Sequence, residues 1–277
     1  MLLRLSMLCL LVLSCLSPLL AVKPCPEGVH PLVLASNGIL FGGCINGKWM
    51  DPEQIVPKMK DGLTYRLYSA THYLGEVKGS KASLGDKDDR IQIPSVELEP
   101  LPKAAQKLNE PIIGICGTWD AQPRKPHEQK TDQPIYRQVV HDYLTAKGHP
   151  NAPVYISHIQ RIDLEGDGTD EVLIYASSSP DADGWPEILD GYSVVLLRKI
   201  INGKVKTIPV DEFFANKSNG TRRILPAAIL DVNGDGVLEV LLHSEEMPCS
   251  DGIAIYQVDG QVNGATMKPV LWEYVGD

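Results

Sequence analysis

The feature that most constrains this 277-residue chain is a nine-residue acidic loop that occurs twice. The first copy reads Asp163-Leu-Glu-Gly-Asp-Gly-Thr-Asp-Glu171, and the second reads Asp231-Val-Asn-Gly-Asp-Gly-Val-Leu-Glu239. Both copies place side-chain oxygens at positions one, three, five and nine, and a glycine at position six, where the backbone must turn sharply. Hard cations such as Ca²⁺ take several oxygen ligands, which alternate residues of a tight loop can supply. The repetition therefore predicts two metal loops.

The residues on either side of the loops exclude an EF-hand. An EF-hand needs a bidentate Glu at position twelve and a helix on each side of its loop. Position twelve falls here on Ile174 and Leu242, which carry no side-chain oxygen. Short apolar runs bound the loops instead and predict strands on both sides. The runs are 156–162, 172–176, 224–230 and 240–242.

This succession of strand, metal loop and strand resembles the FG-GAP/VCBS class of repeats, which occurs in integrin α-type β-propellers and many bacterial surface proteins. The resemblance covers about 154–200 and 224–260 and implies two Ca²⁺ sites. In that family the side chains at positions one, three, five and nine and the carbonyl at position seven hold the ion. The implied ligands are Asp163, Glu165, Asp167, Thr169 (carbonyl) and Glu171, and then Asp231, Asn233, Asp235, Val237 (carbonyl) and Glu239. Glu at position nine, where the family usually has Asp, and Glu165 at position three depart from the family's pattern.

Two other interpretations of the loops are dockerin modules and acidic turns without a metal. Dockerin modules share the Asp-x-Asn-x-Asp-Gly core, but they place a helix after it and repeat more closely than the spacing here (231 − 163 = 68). Acidic turns without a metal are the second alternative, because Asn-Gly and Asp-Gly favour hairpin turns by themselves. Three or more carboxylates within nine residues repel one another without a counter-ion, which favours the metal.

Residues 1–21 predict an export signal. Arg4 precedes an almost unbroken apolar run that is too short for a membrane span. Cleavage near Ala21 is expected, with a lipid anchor at Cys15 as the alternative. The protein is therefore expected to be secreted, periplasmic or at the cell surface, and the resemblance to FG-GAP/VCBS repeats implies a bacterial protein.

Four cysteines remain after the signal, namely Cys25, Cys44, Cys116 and Cys249. An even number in an exported chain predicts two disulfides and leaves three connectivities open. Cys25 with Cys44 is the local pair, and Cys116 would then pair with Cys249.

The charge of the mature chain excludes two kinds of partner. Removing Arg4 leaves 26 − 1 = 25 basic against 35 acidic residues, a formal net charge of 25 − 35 = −10. Such a surface repels nucleic acid and anionic lipid.

The sequence indicates a β-rich N-terminal part, 22–133, followed by a helix and the two repeats in 134–277, which form either a separate domain or one domain with 22–133. The helix is predicted over 134–147, with Thr131 or Asp132 as its cap and Gly148 as its stop. Its apolar residues recur at helical spacing and are Ile135, Tyr136, Val139, Val140, Tyr143 and Leu144.

The fold class predicted is mainly β with one or two helices. Strands and glycine turns continue after each metal loop, which gives each repeat the content of a four-stranded propeller blade. We expect a partial β-propeller or a stack of sheets. A closed integrin-like ring is not expected, since the mature chain has room for only about four blades at this period.

The sequence lacks the common catalytic motifs, including Gly-x-Ser-x-Gly, His-Glu-x-x-His and a phosphate-binding glycine loop. No catalytic residue and no organic cofactor are predicted, and the chain is not expected to be an enzyme. The favoured interpretation is an exported, calcium-binding recognition or structural module with a protein or carbohydrate ligand at the cell surface. The alternative is an exported hydrolase in which Ca²⁺ is structural and distant residues assemble the active site.

Overall fold

The computed structural model describes residues 27–84, 94–179, 191–216, 221–247, 250–258 and 267–274. Within these ranges the chain is mainly β, with several antiparallel sheets and two short α-helices, which confirms the predicted class. The predicted export signal with Cys15, and also Cys25 and Cys249, lie outside the described residues.

The N-terminal part forms one antiparallel sheet, sheet A. Its strands are β1 (Val29–Leu34), β2 (Ile39–Ile45), β3 (Lys48–Met50), β4 (Leu63–Tyr68), β5 (Tyr73–Gly79), β6 (Ser83–Leu84), β7 (Pro94–Ser95) and β8 (Ile113–Ile115). Their order is β5-β4-β8-β1-β2-β7-β6, and β3 pairs with β2. The short helix α1 (Pro52–Ile55) and two 3₁₀ turns (Val56–Lys58 and Ala105–Lys107) lie in the connections.

The two repeats form two further antiparallel sheets. Sheet B contains β9 (His127–Glu128), β10 (Tyr155–Ile162), β11 (Glu171–Ser177), β12 (Tyr192–Ile201) and β13 (Lys204–Phe214), in the order β13-β12-β11-β10-β9. Sheet C contains β14 (Thr221–Leu230), β15 (Glu239–Met247), β16 (Ser250–Val258) and β17 (Met267–Tyr274), in chain order. In each sheet an acidic loop joins two neighbouring strands. We call 163–171, between β10 and β11, loop 1, and 231–239, between β14 and β15, loop 2.

The predicted helix is α2 (Pro134–Ala146), followed by Gly148 with φ +93°. The capping prediction was wrong, because the N-cap residue is Gln133 and no side chain caps the helix. Thr131 and Asp132 lie outside the helix, which begins one residue after Gln133.

Only part of the predicted apolar stripe of α2 is buried. Val140 and Leu144 are fully buried against β11 and β12 of sheet B. Ile135 is 62% exposed, although Tyr136 in the same turn packs against this cluster. Among the described residues, no helix is long and apolar enough to cross a membrane.

Sheet C lies between sheets A and B, so that both of its faces are buried. The alternation of side chains along β16 shows this. Ile253 and Ile255 belong to the apolar cluster shared with sheet A, whereas Ala254 and Tyr256 belong to the cluster shared with sheet B. Burying a large apolar side chain contributes roughly 1.5–3 kcal/mol. This packing holds sheet C, and with it the strands that loop 2 joins, as the middle layer of three.

Candidate metal centre

The two loops have the same backbone hydrogen bonds at position one. In each loop the Asp carboxylate accepts N–H groups from positions four, five and six. Asp163 accepts from Gly166 (2.7 Å), Asp167 (3.1 Å) and Gly168 (2.8 Å), and Asp231 accepts from Gly234 (2.6 Å), Asp235 (3.1 Å) and Gly236 (2.9 Å). The N–H groups of the turn therefore hold the first carboxylate of each loop in place.

Positions five and nine repeat the same equivalence. The Asp at position five accepts the N–H of position seven at 2.8 Å in both loops, from Thr169 in loop 1 and from Val237 in loop 2. The Glu at position nine accepts the N–H of position two at 3.0 Å in both loops. The two loops thus have the same backbone conformation. That the carbonyls of Thr169 and Val237 are ligands stays a prediction.

Loop 2 is buried and loop 1 is more open. In loop 2 the four predicted side-chain ligands are almost inaccessible, with exposed fractions of 4% for Asp231, 4% for Asn233, 6% for Asp235 and 0% for Glu239. In loop 1 Glu171 is equally buried at 2%, but Asp167 is exposed. Position nine is therefore buried in both loops, whereas position five is buried only in loop 2.

A connecting segment, 119–124, covers loop 2 and ties it to loop 1. The indole N–H of Trp119 donates to the carbonyl of Asp231 at 2.7 Å, and the N–H of Asp231 donates to the carbonyl of Ala121 at 2.8 Å. The guanidinium of Arg124 donates to three carbonyls, those of Asp163 (2.6 Å) and Leu164 (3.1 Å) in loop 1 and that of Gly236 (2.8 Å) in loop 2. The three hydrogen bonds of Arg124 therefore go to the backbones of both loops and not to their carboxylates.

In the part of the chain that the structure describes, the carboxylates of loop 2 have no basic partner. Among the described residues, no lysine or arginine forms an ion pair with Asp231, Asp235 or Glu239. Besides backbone N–H groups, they contact the Asn233 amide, whose nitrogen donates to Asp235 Oδ2 at 3.0 Å and to Glu239 Oε1 at 3.2 Å. A neutral amide thus stands between the two carboxylates.

The pKa values of loop 2 show the cost of this arrangement. Burial, together with the nearby charge of Asp235, raises the pKa of Asp231 to about 6. Burial raises the pKa of Glu239 well above its usual value, and the charges of Asp235 and Asp231 raise it further. Burial also raises the pKa of Asp235. The ionised loop is therefore unfavourable without a cation.

In loop 1 a lysine neutralises the carboxylates. Lys199, on β12, is 7% exposed and donates through Nζ to Glu165 and to Glu171 Oε1, the latter at 3.0 Å. Burial acts to lower the pKa of Lys199, but the hydrogen bonds that it donates to Glu165 and Glu171, and the charges of these carboxylates, outweigh burial and raise the pKa. Burial raises the pKa of Glu171 while the hydrogen bond from Lys199 opposes that shift. The ammonium therefore lies where the carboxylates at positions three and nine meet.

The two loops offer different surroundings for a cation. Asp231, Asn233, Asp235 and Glu239 offer loop 2 three carboxylates and one amide oxygen, a donor set suited to Ca²⁺. In the described part of the chain, no three His, Cys, Asp or Glu side chains already lie close enough together to hold an ion. An ion in loop 2 would replace the two N–H contacts of Asn233. In loop 1 the ligand oxygens of positions three and nine are already bound to Lys199.

The described cysteines are not joined to each other. Cys44 lies on β2 opposite His30 of β1, and Cys116 follows β8, on the other side of β1. Two strand spacings separate them, roughly 9–10 Å, whereas a disulfide needs Cα atoms within about 7 Å. The predicted pairs with Cys25 and Cys249 stay predictions.

A cavity of about 740 Å³ lies beside sheet A. His30, Arg66 and Cys116 contribute to its lining. Burial raises the pKa of the Cys116 thiol to about 11, which keeps the thiol protonated at neutral pH. Nδ1 of His30 lies 2.8 Å from the backbone carbonyl of Cys116. This arrangement does not activate the thiol as a nucleophile.

Sequence analysis missed Lys199, Arg124, Trp119 and Gln257, the partner of Trp49. The indole N–H of Trp49 donates to Gln257 Oε1 at 3.2 Å, and Gln257 Nε2 lies 3.5 Å from Asp235 Oδ2. These residues are distant from the loops in the chain. Only the strand register and the path of the connecting segment bring them to the site.

Comparison of the chain with models of protein families, with curated proteins and with the solved structures found no match in any of the three.

Proposed function

We propose that the protein is a calcium-binding structural or recognition module in which one ion in loop 2 holds a stack of β-sheets together. The resemblance of its loops to FG-GAP/VCBS repeats supports the choice of Ca²⁺. The four-stranded meander of sheet C and the four consecutive strands of sheet B support a partial, open propeller. The predicted export signal supports a site of action outside the cytoplasm.

One observation carries the proposal. Glu239 is fully buried together with Asp231 and Asp235, and no basic side chain among the described residues pairs with them. Burying unpaired carboxylates is costly, and an ion that binds them offsets that cost. Loop 2 also contacts the segment 119–124 on the side of sheet A. On its other side it contacts loop 1, because the N–H of Leu238 donates to the carbonyl of Leu164 at 2.8 Å. A metal here would therefore stabilise the packing of three layers.

A binding role accounts for this site better than catalysis does. The carboxylates of loop 2 are covered on all sides, so a substrate could not reach an ion held by them. The ion would act by holding Asp231, Asp235 and Glu239, and with them the start of β15. A protein or carbohydrate ligand at the cell surface remains the proposed partner class, with binding by the exposed faces of a rigid stack.

Thermal unfolding with Ca²⁺ and with chelator tests the proposal. A ligand that binds only the folded state adds RT ln(1 + [L]/Kd), about 2.7 kcal/mol at a hundredfold excess over Kd. For a chain of this size that corresponds to a rise in Tm of roughly 5–10 °C. Asp235→Ala should remove the rise, because it deletes a ligand without leaving an apolar cavity.

Asp142→Ala is the matched control. Asp142 is an exposed acidic residue of α2, and its replacement should leave the Ca²⁺-dependent rise unchanged. Equal melting temperatures of the wild-type protein in saturating Ca²⁺ and in chelator would overturn the proposal.

A further inference from the structure

Lys199 and Gln257 occupy the same position in the two repeats. In sheet B, Val172 pairs with Arg198, so the next register position sets Lys199 opposite Glu171, the ninth residue of loop 1. In sheet C, Val240 pairs with Tyr256, and the next position sets Gln257 opposite Glu239, the ninth residue of loop 2. Each loop therefore receives one side chain from the neighbouring strand, a lysine in loop 1 and a glutamine in loop 2.

The two side chains do different things to the carboxylates. Nζ of Lys199 donates to Glu165 and Glu171, so it takes an oxygen from each of the ligand positions three and nine. Gln257 is held away from this role, because its Oε1 accepts the indole N–H of Trp49 and only its Nε2 approaches Asp235, at 3.5 Å. Gln257 therefore brings no positive charge to Glu239, the carboxylate at position nine of loop 2.

Net charge does not separate the two loops. Loop 1 has carboxylates at positions one, three, five and nine and one ammonium, and loop 2 has carboxylates at positions one, five and nine with a neutral Asn233. At these ligand positions the formal sum is −4 + 1 = −3 for loop 1 and −3 for loop 2. Asp170, at position eight of loop 1, forms an ion pair with Arg161 instead. The difference is positional, since the ammonium of Lys199 lies between the oxygens that a metal would need.

We infer that Lys199 is the resident cation of loop 1, that loop 1 therefore binds no divalent ion, and that the residue opposite position nine decides which repeat takes Ca²⁺. The protein then binds one Ca²⁺, in loop 2. This stoichiometry rests on the proposed function, whereas the assignment of Lys199 to loop 1 rests on its own contacts.

Calorimetric titration of Ca²⁺ into chelator-stripped full-length protein tests the inference by a reciprocal exchange. The wild-type protein should bind one ion. Lys199→Gln gives loop 1 the side chain found beside loop 2 and should raise the stoichiometry to two. Gln257→Lys gives loop 2 its own ammonium and should reduce the stoichiometry to none. Lys206→Gln, which removes the exposed lysine paired with Lys199 on β13, is the control and should leave one ion bound.

Asp167→Ala separates the possible outcomes further. It should leave the stoichiometry of the wild-type protein at one, because loop 1 holds no metal. Two ions in the wild-type protein, with one of them lost in Asp167→Ala, would overturn the inference. If the wild-type protein binds no ion, the proposed function fails, and Lys199→Gln alone decides the inference: a gained ion supports it and no gain overturns it.

A second variant covers a folding failure of Lys199→Gln. That change leaves the four carboxylates at the ligand positions of loop 1 without an ammonium. The double variant Lys199→Gln with Glu165→Asn reproduces, at these positions, the three carboxylates and the amide of loop 2. The double variant should fold, as judged by circular dichroism, and should bind one ion more than the wild-type protein. A folded double variant that binds no additional ion would overturn the inference.

Discussion

Loop 1 and loop 2 have the same backbone hydrogen bonds in their turns, but the carboxylate at position nine has a different side-chain partner in each loop. In loop 1 that carboxylate, Glu171, binds the ammonium of Lys199. In loop 2 the equivalent Glu239 binds the amide of Asn233. Both carboxylates also accept the backbone N–H of position two. The comparison shows that the acidic pattern specifies the turn, whereas the neighbouring strand specifies how its charge is neutralised.

Burial adds a second difference between the loops. The segment 119–124 and the packing of sheet C between sheets A and B enclose loop 2, whereas Asp167 of loop 1 is exposed. Water can screen part of the charge of loop 1 but very little of the charge of loop 2. A cation therefore stabilises loop 2 more than it would stabilise an exposed acidic turn.

Removing the ammonium of loop 1 should have the largest effect. Lys199→Ala leaves the buried Glu171 beside Glu165 without a counter-charge. Breaking a buried ion pair by removing one partner costs about 3–5 kcal/mol. Urea unfolding in chelator measures this loss, and Gln257→Ala, at the equivalent neutral position, should cost less than about 1.5 kcal/mol. Similar losses for the two variants would show that the two repeats are neutralised in the same way.

The carboxylates at position nine should respond in opposite directions to neutralisation. In chelator at pH 7, Glu239→Gln should raise the free energy of unfolding, by on the order of 1 kcal/mol, because it removes an unpaired buried charge. Glu171→Gln should lower it by about 1–3 kcal/mol, because Lys199 loses a charge-assisted hydrogen bond. A stabilising Glu171→Gln or a destabilising Glu239→Gln in chelator would contradict the comparison.

The pH dependence sharpens the same pair of variants. The folded-state pKa of Glu239 is raised and that of Asp231 is raised to about 6, so the folded state binds more protons than the unfolded state. Stability in chelator therefore falls as the pH rises from about 4 through these raised pKa values. The advantage of Glu239→Gln over the wild-type protein should be small at pH 4.5 and should grow towards pH 7. Saturating Ca²⁺ should reverse this advantage, since the ion needs the ionised carboxylate.

The strands could be predicted from the sequence because their signals are local. Alternation, apolar runs and turn glycines identified the strands around both loops, and helical spacing identified α2. Helical spacing shows which residues share a face but not which of them are buried, and Ile135 of the apolar stripe is exposed. The stacking of sheet C between two others was not visible locally, since an apolar run such as β16 fits any strand buried on both faces.

The metal loops could be predicted only as far as their own nine residues. The pattern of oxygens is the same in both copies, and it therefore predicted two equal sites. Lys199 follows Gly191 by 199 − 191 = 8 residues, whereas Gln257 follows the equivalent Gly252 by 257 − 252 = 5 residues. The two repeats therefore do not align without gaps in this part of the sequence. The pairing register alone shows that they are equivalent.

The smallest expected effect tests the part that the loops share, which is the backbone at position six. Gly168 has φ +86° and Gly236 has φ +87°, and a Cβ at either position would meet no atom within 4 Å. An alanine there would suffer only the left-handed conformation, which costs roughly 1–2 kcal/mol. Gly168→Ala and Gly236→Ala should therefore destabilise the protein equally in chelator, and the Asn variants should cost less, because Asn adopts this conformation more readily. Urea unfolding of the four variants measures these costs. If the two alanine variants differ by more than about 0.5 kcal/mol, the loops differ in their backbones as well as in their cations, and Lys199 is not the whole of the difference between them.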